Sequence, residues 1–546
     1  MRPRHVLLAV AAGLALADAS IVTLALPQLL RELDTTVEGV AAILGVYTVV
    51  LAAALVPVER AQRRIGAPRT AAAGLLVFGL ASLVAGASSS LGLLLAARAV
   101  QAVGGAAALV AAFALLEPSG AAGERGRRLW LGAAVLAAAV GPALGGALTE
   151  VFSWRAIFYF QAPVAAVAAV VALAEPRRDT APRERAQRLA LGPAIALALV
   201  SAALTAVLFL LVLLLVAGWD VPPLRAAATV TVIPLGALLG SRLGGSARTR
   251  ATAGCALVGA GVLALAFLPD AHLWWTFAPQ AAAGLGMGLA LPALGGDLLP
   301  ERDARDASHL LVLRHVGIAF ALVVLAPIVS HDLQAATERA KERGVAVVLD
   351  AKLPPTEKLR LAPDLLAGVD QEQPRHGLRA ALAADRSTID QQYANAYHQL
   401  SERVDDTVVL AVGEAFRTAF LVTGALALLA AVAVLPRRRP SQVLAAAAAS
   451  AVLLPVAYAE LHAVFAPKPV RLADPCHPRP LPDTGGIEGF IQDRALELLD
   501  TTACKAGSSR EQLVLALADK SERKRFEQEH GVDPRSLSGI LQTLLG

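Results

Sequence analysis

Leu16-Ala-Asp-Ala-Ser-Ile-Val-Thr-Leu-Ala-Leu-Pro27 sets Asp18 in the middle of the first long apolar run of the chain. At that depth in a bilayer an ionised carboxylate is costly unless it is paired, hydrated or protonated, so a charge kept there marks a working site. The surroundings decide whether the run is a membrane span. Of 546 residues, 56% are hydrophobic and 17% charged, whereas a soluble domain is about a quarter charged. Mean hydropathy is +0.58. The apolar residues arrive in blocks of about 20 rather than at core-helix spacing, which is the transmembrane signature. The Ala- and Gly-rich makeup suits close helix packing in lipid and equally fits a GC-rich genome.

The runs read as spans are 5–30, 38–58, 70–87, 91–116, 129–150, 155–174, 193–217, 225–241, 252–269, 273–299, 310–331 and 408–435, with one more at 441–465. Each is long enough for a hydrocarbon core of roughly 30 Å at about 1.5 Å per residue, and 225–241 is marginal. Basic residues cluster in alternate connections. Arg60, Arg63, Arg64 and Arg69 fall in the second, and Arg125, Arg127 and Arg128 in the fourth. Arg177, Arg178, Arg183, Arg185 and Arg188 fall in the sixth. Arg242, Arg248 and Arg250 follow the eighth span, and Arg437, Arg438 and Arg439 the twelfth. The odd connections are nearly free of them, Arg31 and Arg155 apart. Basic loops stay in the cytoplasm, which predicts a cytoplasmic N-terminus. The net charge of +5 therefore reports topology and not nucleic-acid binding. Met1-Arg-Pro-Arg before an apolar stretch has the start of a signal peptide, but the stretch runs past Pro27, holds Asp18 and lacks a small-residue cleavage site.

The same alternation puts two polar segments outside the cell. Residues 332–407 join the eleventh and twelfth spans, and 466–546 form a tail that opens on the Pro-rich linker Pro467–Pro482. The tail reads as two or three short amphipathic helices, one with Leu513, Leu515, Leu517 and Ala518, another from Pro534 to Leu545. Cys255 lies in an apolar span as a small packing residue. Cys476 and Cys504 lie in the tail, where an oxidising exterior permits a disulfide; two unrelated thiols is the other reading.

Four segments of the first half resemble the major facilitator superfamily, in particular its drug/proton antiporter branch, related to the fourteen-span multidrug exporters. They are Asp18–Pro27, Arg98-Ala-Val-Gln-Ala-Val-Gly104, Gly141-Pro-Ala-Leu-Gly-Gly-Ala-Leu148 and Trp154-Arg-Ala-Ile-Phe-Tyr-Phe-Gln-Ala-Pro163. Thr23 and Gln161 stand where the family often has Asn, and Ala102 where it has Gly. The second half matches more loosely, through Pro234-Leu-Gly, Gly284-Leu-Gly-Met-Gly288 and Arg314-His-Val-Gly317. The resemblance covers roughly 5–331 and 408–435.

The resemblance implies an all-α, polytopic membrane protein of two six-helix halves, 1–174 and 193–435, joined by a cytoplasmic linker at 175–192. The insertion 332–407, an extra transmembrane helix at 441–465 and a small extracytoplasmic helical tail at 466–546 are additions to it. Asp18 and Arg98 become the proton-coupling pair, with Gln101 in support. An Arg nearby lowers a carboxylate's pKa while desolvation raises it, so a group between the two can load and release a proton. A fixed ion pair between two helices is the alternative. Gly141, Pro142, Gly145 and Gly146 read as a seam that shapes or gates the cavity, or as tight packing only.

The sequence departs from the family in the loop between the second and third spans. The family's G-x-L-x-D-R-x-G is here Glu59-Arg-Ala-Gln-Arg-Arg-Ile-Gly66, with Arg63 at the acidic position. Glu59, Arg64 and Gly66 are its remnant, and Glu59 is a displaced acidic partner. Gly240–Arg248 also lacks the Asp.

Other chemistry is sparse. Gly284-x-Gly-x-Gly288 reads as helix packing and not a nucleotide loop. No Walker-type lysine loop is present, which argues against ATP-driven transport within this chain, and the external segments show no nucleophile–base pattern; no enzyme activity, cofactor or metal is expected. His309 and His315 read as boundary residues at a cytoplasmic helix end, and His331 with Asp332 as their outer counterparts. The expected function is proton-coupled export of small amphipathic or hydrophobic compounds across the cell membrane, with Phe209 and Trp219 as substrate contacts. The rival is a membrane scaffold or sensor that has lost transport and binds an envelope protein through its external segments.

Overall fold

The computed structural model describes residues 3–116, 141–176, 190–299, 304–368, 374–386, 389–436, 442–477, 479–482 and 484–535. Residues 129–140 of the fifth expected span lie outside them, as do the basic clusters at 125–128, 177–188 and 437–439, most of the linker 175–192, and the last tail helix beyond Arg535. The regular structure of the described residues is entirely helical. Eleven of the helices are long and apolar enough to cross a membrane. The chain divides into two compact units: Met1–Val216, Val221–His331 and Phe416–Val464 form one, and Ala217–Asp220, Asp332–Ala415 and Phe465–Gly546 the other.

The first unit opens with α1 (Pro3–Thr23) and the short α2 (Leu26–Glu32). The run 5–30, expected as one span, breaks at Leu24–Ala25. Pro27 in the first turn of α2 has no amide to carry the α1 ladder onward. Helix α3 (Val37–Ile65) starts at Thr36, whose Oγ1 accepts from the Gly39 amide at 3.3 Å. It ends at Gly66, whose φ of +94° only glycine holds without strain, and α4 (Ala67–Gly86) follows at once with Pro68 in its first turn. Next come α5 (Leu91–Leu116), α6 (141–151) and α7 (Trp154–Leu173). Trp154 and Arg155 fasten the start of α7 to α2: Trp154 Nε1 donates to Glu32 at 2.8 Å and Arg155 pairs with Glu32 at 2.6 Å.

Helix α8 (Leu191–Val212) continues into a π-helical turn, Leu213–Gly218. The run 225–241, also expected as one span, is α9 (Pro223–Val230) and α10 (Val232–Gly240), interrupted at Thr231. Pro234 lacks the amide that would reach back to Val230, which releases that carbonyl and lets the axis turn. Helix α11 (Ala247–Leu265) packs on α12 (Phe277–Pro292). Three glycines divide the work on α12. A Cβ on Gly284 or Gly288 would overlap α10 backbone, and one on Gly286 would overlap the Gly254 carbonyl of α11. That is close packing of small residues in a membrane bundle.

Helix α13 (Ala304–Asp350) has 47 residues, followed by α14 (Pro355–Gly368) and α15 (Pro374–Asp385); α16 (Ala394–Ala433) has 40 residues. The expected boundaries at 331/332 and 407/408 are therefore not chain breaks. Segments such as Leu333-Gln-Ala-Ala-Thr-Glu-Arg-Ala-Lys-Glu-Arg343 are strong helix formers without Gly or Pro, so the helices run on. At about 1.5 Å per residue α13 is roughly 70 Å long, more than twice a hydrocarbon core. Helix α17 (Gln442–Phe465) closes the first unit and is only 11% buried over its most apolar window, against 78% for Leu191–Gly218.

In the second unit α18 (Gly486–Ala506), α19 (Arg510–Ala518) and α20 (Lys520–His530) gather around Ala503, Leu513, Ala516 and Phe526. Ser509 and Gln512 form a capping box at the start of α19. A disulfide joins Cys476 to Cys504. Arg510 and Glu511 are fully buried, and Arg510 Nη2 pairs with Asp350 at 2.7 Å.

Candidate functional site

Five helices of the first unit bring polar side chains to one point in an otherwise apolar interior. Asp18 comes from α1, Tyr47 from α3, Ser82 from α4, Arg98 and Gln101 from α5, and Gln161 from α7. The spacing of Arg98 and Gln101, one turn apart, puts both on the same face of α5. Asp18, Arg98, Gln101, Gln161 and Ser82 are all 0% exposed.

Their hydrogen bonds close a ring. Arg98 Nη1 donates to Asp18 Oδ2 at 2.5 Å and to Gln101 Oε1 at 2.6 Å. Gln101 Nε2 donates to Gln161 Oε1 at 2.8 Å, and Gln161 Nε2 donates to Asp18 Oδ1 at 2.8 Å. Two donor paths therefore leave Arg98 and end on Asp18, one direct and one through both glutamine amides. Ser82 supports the ring by accepting from Gln101 Nε2 at 2.8 Å while donating to the Phe78 carbonyl at 2.7 Å. Arg98 Nε donates to the Ile43 carbonyl at 3.3 Å, and the Tyr47 ring lies 4.3 Å from the guanidinium carbon, a cation–π distance. Arg98 Nη2 has no hydrogen-bond partner among the described residues. A buried pair is tolerated when further hydrogen bonds satisfy its remaining atoms, and here they nearly do.

Beside the ring lies a cavity of about 120 Å³ between the two halves of the bundle. On the N-terminal side it is lined by Ala15, Ala19, Ser20, Thr23, Tyr47, Thr48 and Pro142, and on the other by residues of α8 to α10, Met287 and α13. Asp18 and Arg98 do not line it. Tyr47 touches both regions: it lines the cavity, faces Arg98, and is fixed by its hydroxyl donating to the Ala15 carbonyl at 2.9 Å.

The α6 glycines point to two different neighbours. A Cβ on Gly141 would meet Ser20 Oγ at 2.7 Å and one on Gly145 would overlap the Ile21 carbonyl, both on α1. A Cβ on Gly146 would lie 2.5 Å from that of Ala227 and 3.0 Å from the Pro223 carbonyl, both on α9. Helix α6 is thus the plate between α1 and α9, with Pro142 at the cavity wall.

In the loop remnant, Glu59 accepts from Arg63 Nε at 2.7 Å one turn ahead on the same helix. Arg64 is exposed, and Gly66 makes the turn. In the corresponding place of the second half Arg250 pairs with Asp297, which follows α12. Phe209 is fully buried and does not line the cavity. Trp219 belongs to the second unit, where its carbonyl accepts from Arg375 at 3.3 Å. His315, read from the sequence as a boundary residue, is a correction. Helix α13 begins at Ala304 and not at 310, so His315 sits three turns in, is buried, and lines the cavity with Arg314. Its Nδ1 bonds the Leu311 carbonyl at 2.7 Å. No group of three metal-type ligands occurs among the described residues.

Tyr47, Ser82 and the role of Gln161 escape a reading of sequence alone. Each is a neutral residue in an apolar run; a polar side chain in a span, taken with helical phase, is the only signal they give.

Residues 8–322, more than half of the chain, match the profile of the Major Facilitator Superfamily. The puromycin resistance protein of Streptomyces alboniger is 39% identical over 158 residues, covering 28% of this chain and 31% of its own length. The methylenomycin A resistance protein of Streptomyces coelicolor is 32% identical over 229 residues, covering 41% and 47%. The chain thus spans less than half the length of these curated relatives. Among solved structures, a bacterial homolog of the human lysosomal transporter Spinster, inward-facing and unoccupied, superposes with a TM-score of 0.54 at 14% identity over 81% of this chain and 100% of that one. At that identity the likeness concerns the fold alone. The family profile, the helical bundle and the eleven helices long and apolar enough to cross a membrane among the described residues together show that this chain is a multi-pass membrane protein belonging to the major facilitator superfamily.

Proposed function

We propose that this protein is a secondary active transporter of the cell membrane that exports small amphipathic compounds in exchange for protons. The observation that carries the reading is the buried ring Asp18–Arg98–Gln101–Gln161 beside a central cavity, with Tyr47 as the partition. The ring has a direction, since every donor points away from Arg98 and towards Asp18. A proton placed on Asp18 removes the charge that holds Arg98 and turns one carboxyl oxygen into a donor. If that oxygen is the one facing Gln161, the Gln161 amide must flip, then Gln101, which would set an NH2 group against Arg98. Protonation is thereby linked to release of Arg98 and to movement of α1, α5 and α7. The lining of the cavity by both halves suits alternating access, in which one half rocks on the other, and the α6 plate between α1 and α9 is the seam along which that motion runs.

The arginine-rich connections on one side support a cytoplasmic N-terminus. The disulfide supports an extracytoplasmic tail, because such bonds persist in oxidising compartments. The insertion and tail then face outward, where an envelope protein is their natural partner. The test is flux in reconstituted vesicles with an imposed proton gradient. Transport should collapse with an uncoupler and be lost in Asp18→Asn while the variant still folds and inserts. Full gradient-driven flux in Asp18→Asn overturns the reading.

A further inference from the structure

Most polar side chains on the cavity wall have already given their hydrogens to the backbone. The hydroxyls of Ser20, Thr23 and Thr48 each donate to a carbonyl three or four residues back, at 2.8, 2.6 and 2.8 Å. The Tyr47 hydroxyl donates to the Ala15 carbonyl at 2.9 Å. On the other side His315 does the same with a ring nitrogen. A carbonyl can only accept, so Nδ1 carries the hydrogen in its 2.7 Å bond to Leu311, and Nε2 keeps a lone pair. Five side chains of α1, α3 and α13 therefore bring acceptors to one space. Thr205 differs: its hydroxyl takes no partner among the described residues, so it can give a hydrogen bond or accept one. Arg314 also reaches the wall, and it already has an interaction of its own. No carboxylate lines the cavity among the described residues.

We propose that the ligand of this cavity is an uncharged amphipath whose polar end carries hydroxyl or N–H donors, received by the lone pairs of Thr23, Thr48 and His315. A carboxylate or sulfonate would set its own lone pairs against that array. An ammonium would leave water with no countercharge on the wall, which is costly. A ketone or ether of the same shape would face the acceptors with an oxygen that has no hydrogen to give. Buried polar groups left unmatched in this way discriminate more sharply than a missing methylene does. Leu208, Ile233 and Met287 provide the apolar wall for the rest of the molecule, with methionine able to adapt to varied shapes. This assignment rests on the proposed role of the cavity as the transport site, and it names the substrate class for that site.

Cyclohexanol and cyclohexanone test it, since they share one ring and differ in whether the oxygen carries a hydrogen. A cavity of about 150 Å³ holds benzene, so a single ring suits one of about 120 Å³. Binding of each probe to the full-length protein in lipid nanodiscs is measured by equilibrium dialysis, with uptake by empty nanodiscs subtracted. No gradient is applied, so the result is independent of proton coupling. Wild type should bind the alcohol roughly tenfold more tightly than the ketone. The double variant Thr48→Val, His315→Leu should lose most of that preference, and Thr48→Ser, which keeps the hydroxyl, should retain it. A ketone bound as tightly as the alcohol by wild type overturns the assignment, and so does an alcohol that wild type fails to bind. A preference that survives unchanged in the folded double variant overturns it too. Because wild type alone decides the first comparison, misfolding of a variant cannot shield the proposal. Loss of the alcohol preference in a protein whose gradient-driven flux is intact would sink the ligand class and leave the exporter reading standing.

Discussion

Gln161 Nε2 donates to Asp18 Oδ1 at 2.8 Å, joining α7 to α1 across 143 positions of sequence. The related motif has asparagine here, one methylene shorter. With glutamine the amide also reaches Gln101, and the ring closes. Gln161→Asn should therefore open it, leaving a carboxylate oxygen and an amide without partners. The expected cost is about 1–3 kcal/mol, read as a lower thermal unfolding midpoint in nanodiscs. Proton-driven flux should fall further than stability alone accounts for. Wild-type values in both measurements would show that the closed ring has no role.

Tyr47 separates a charged pair from a cavity. Tyr47→Phe keeps the ring face over Arg98 and loses the bond to the Ala15 carbonyl, at a cost of about 1 kcal/mol. Tyr47→Ala removes the partition itself. Vesicles holding the alanine variant should leak protons without substrate, seen as gradient collapse in a pH-dye assay, whereas the phenylalanine variant should stay tight. A tight alanine variant would show that Tyr47 is not the barrier.

The α6 plate tolerates no added volume on either face. Gly145→Ala would push a methyl into the Ile21 carbonyl, and Gly146→Val would crowd Ala227. Each should cost about 1–3 kcal/mol through overpacking, with a lower yield of monodisperse protein by size-exclusion chromatography. Gly92, with nothing near its missing Cβ, is the control: Gly92→Ala should leave the yield unchanged.

Reduction of the Cys476–Cys504 bond frees a loop of 28 residues. By chain entropy such a closure contributes about 3–4 kcal/mol. Cys504→Ser should make the α18–α20 helices far more susceptible to protease while the membrane helices stay intact. Equal proteolysis of both forms would assign the tail's stability to its apolar core and its buried Arg510–Glu511 network alone.

Lys358 of α14 supplies a pH signature. Burial pushes its ammonium down to about 8; Asp350 opposes that shift and Arg510 adds to it. Its Nζ donates to the Leu349 carbonyl at 2.6 Å. Below pH of about 8 the group is charged in both folded and unfolded states, and the burial penalty stands in full. Between about 8 and the ordinary lysine value of 10.5 only the folded state loses the proton, so local stability rises with pH across that window. Hydrogen exchange of α14 amides, compared with Lys358→Met at each pH, should show the gap between the two proteins narrowing as pH rises through it. A gap that stays constant would mean that the lysine titrates normally.

Charge in an apolar run is a loud signal, and the sequence exposes Asp18 and Arg98 through it, while Gln101 is legible only through the motif it shares with Arg98. The glycines of α6 and α12 were legible as packing positions, although which neighbour each one meets depends on helix phase and tertiary contact. Tyr47 and Ser82 stayed silent because neutral residues in a span carry no such cost and so stand out less. His315 was misplaced for a different reason. Hydropathy locates the apolar stretch, whereas the helix starts two turns earlier in polar residues that propensity alone would have included. The same effect hid the true lengths of α13 and α16, whose polar ends are helical without being apolar.

Helix α17 buries little of itself in the bundle, and most of its apolar surface faces away from the rest of the protein. Two of its polar attachments are Tyr458, bonded to the Trp275 carbonyl at 2.7 Å, and His462, bonded to Arg417 at 3.0 Å. Evolution therefore has wide licence over the rest of it: nearly any greasy stretch of similar length would serve, and its letters should drift between related species much faster than those of α5, while those two anchors hold still.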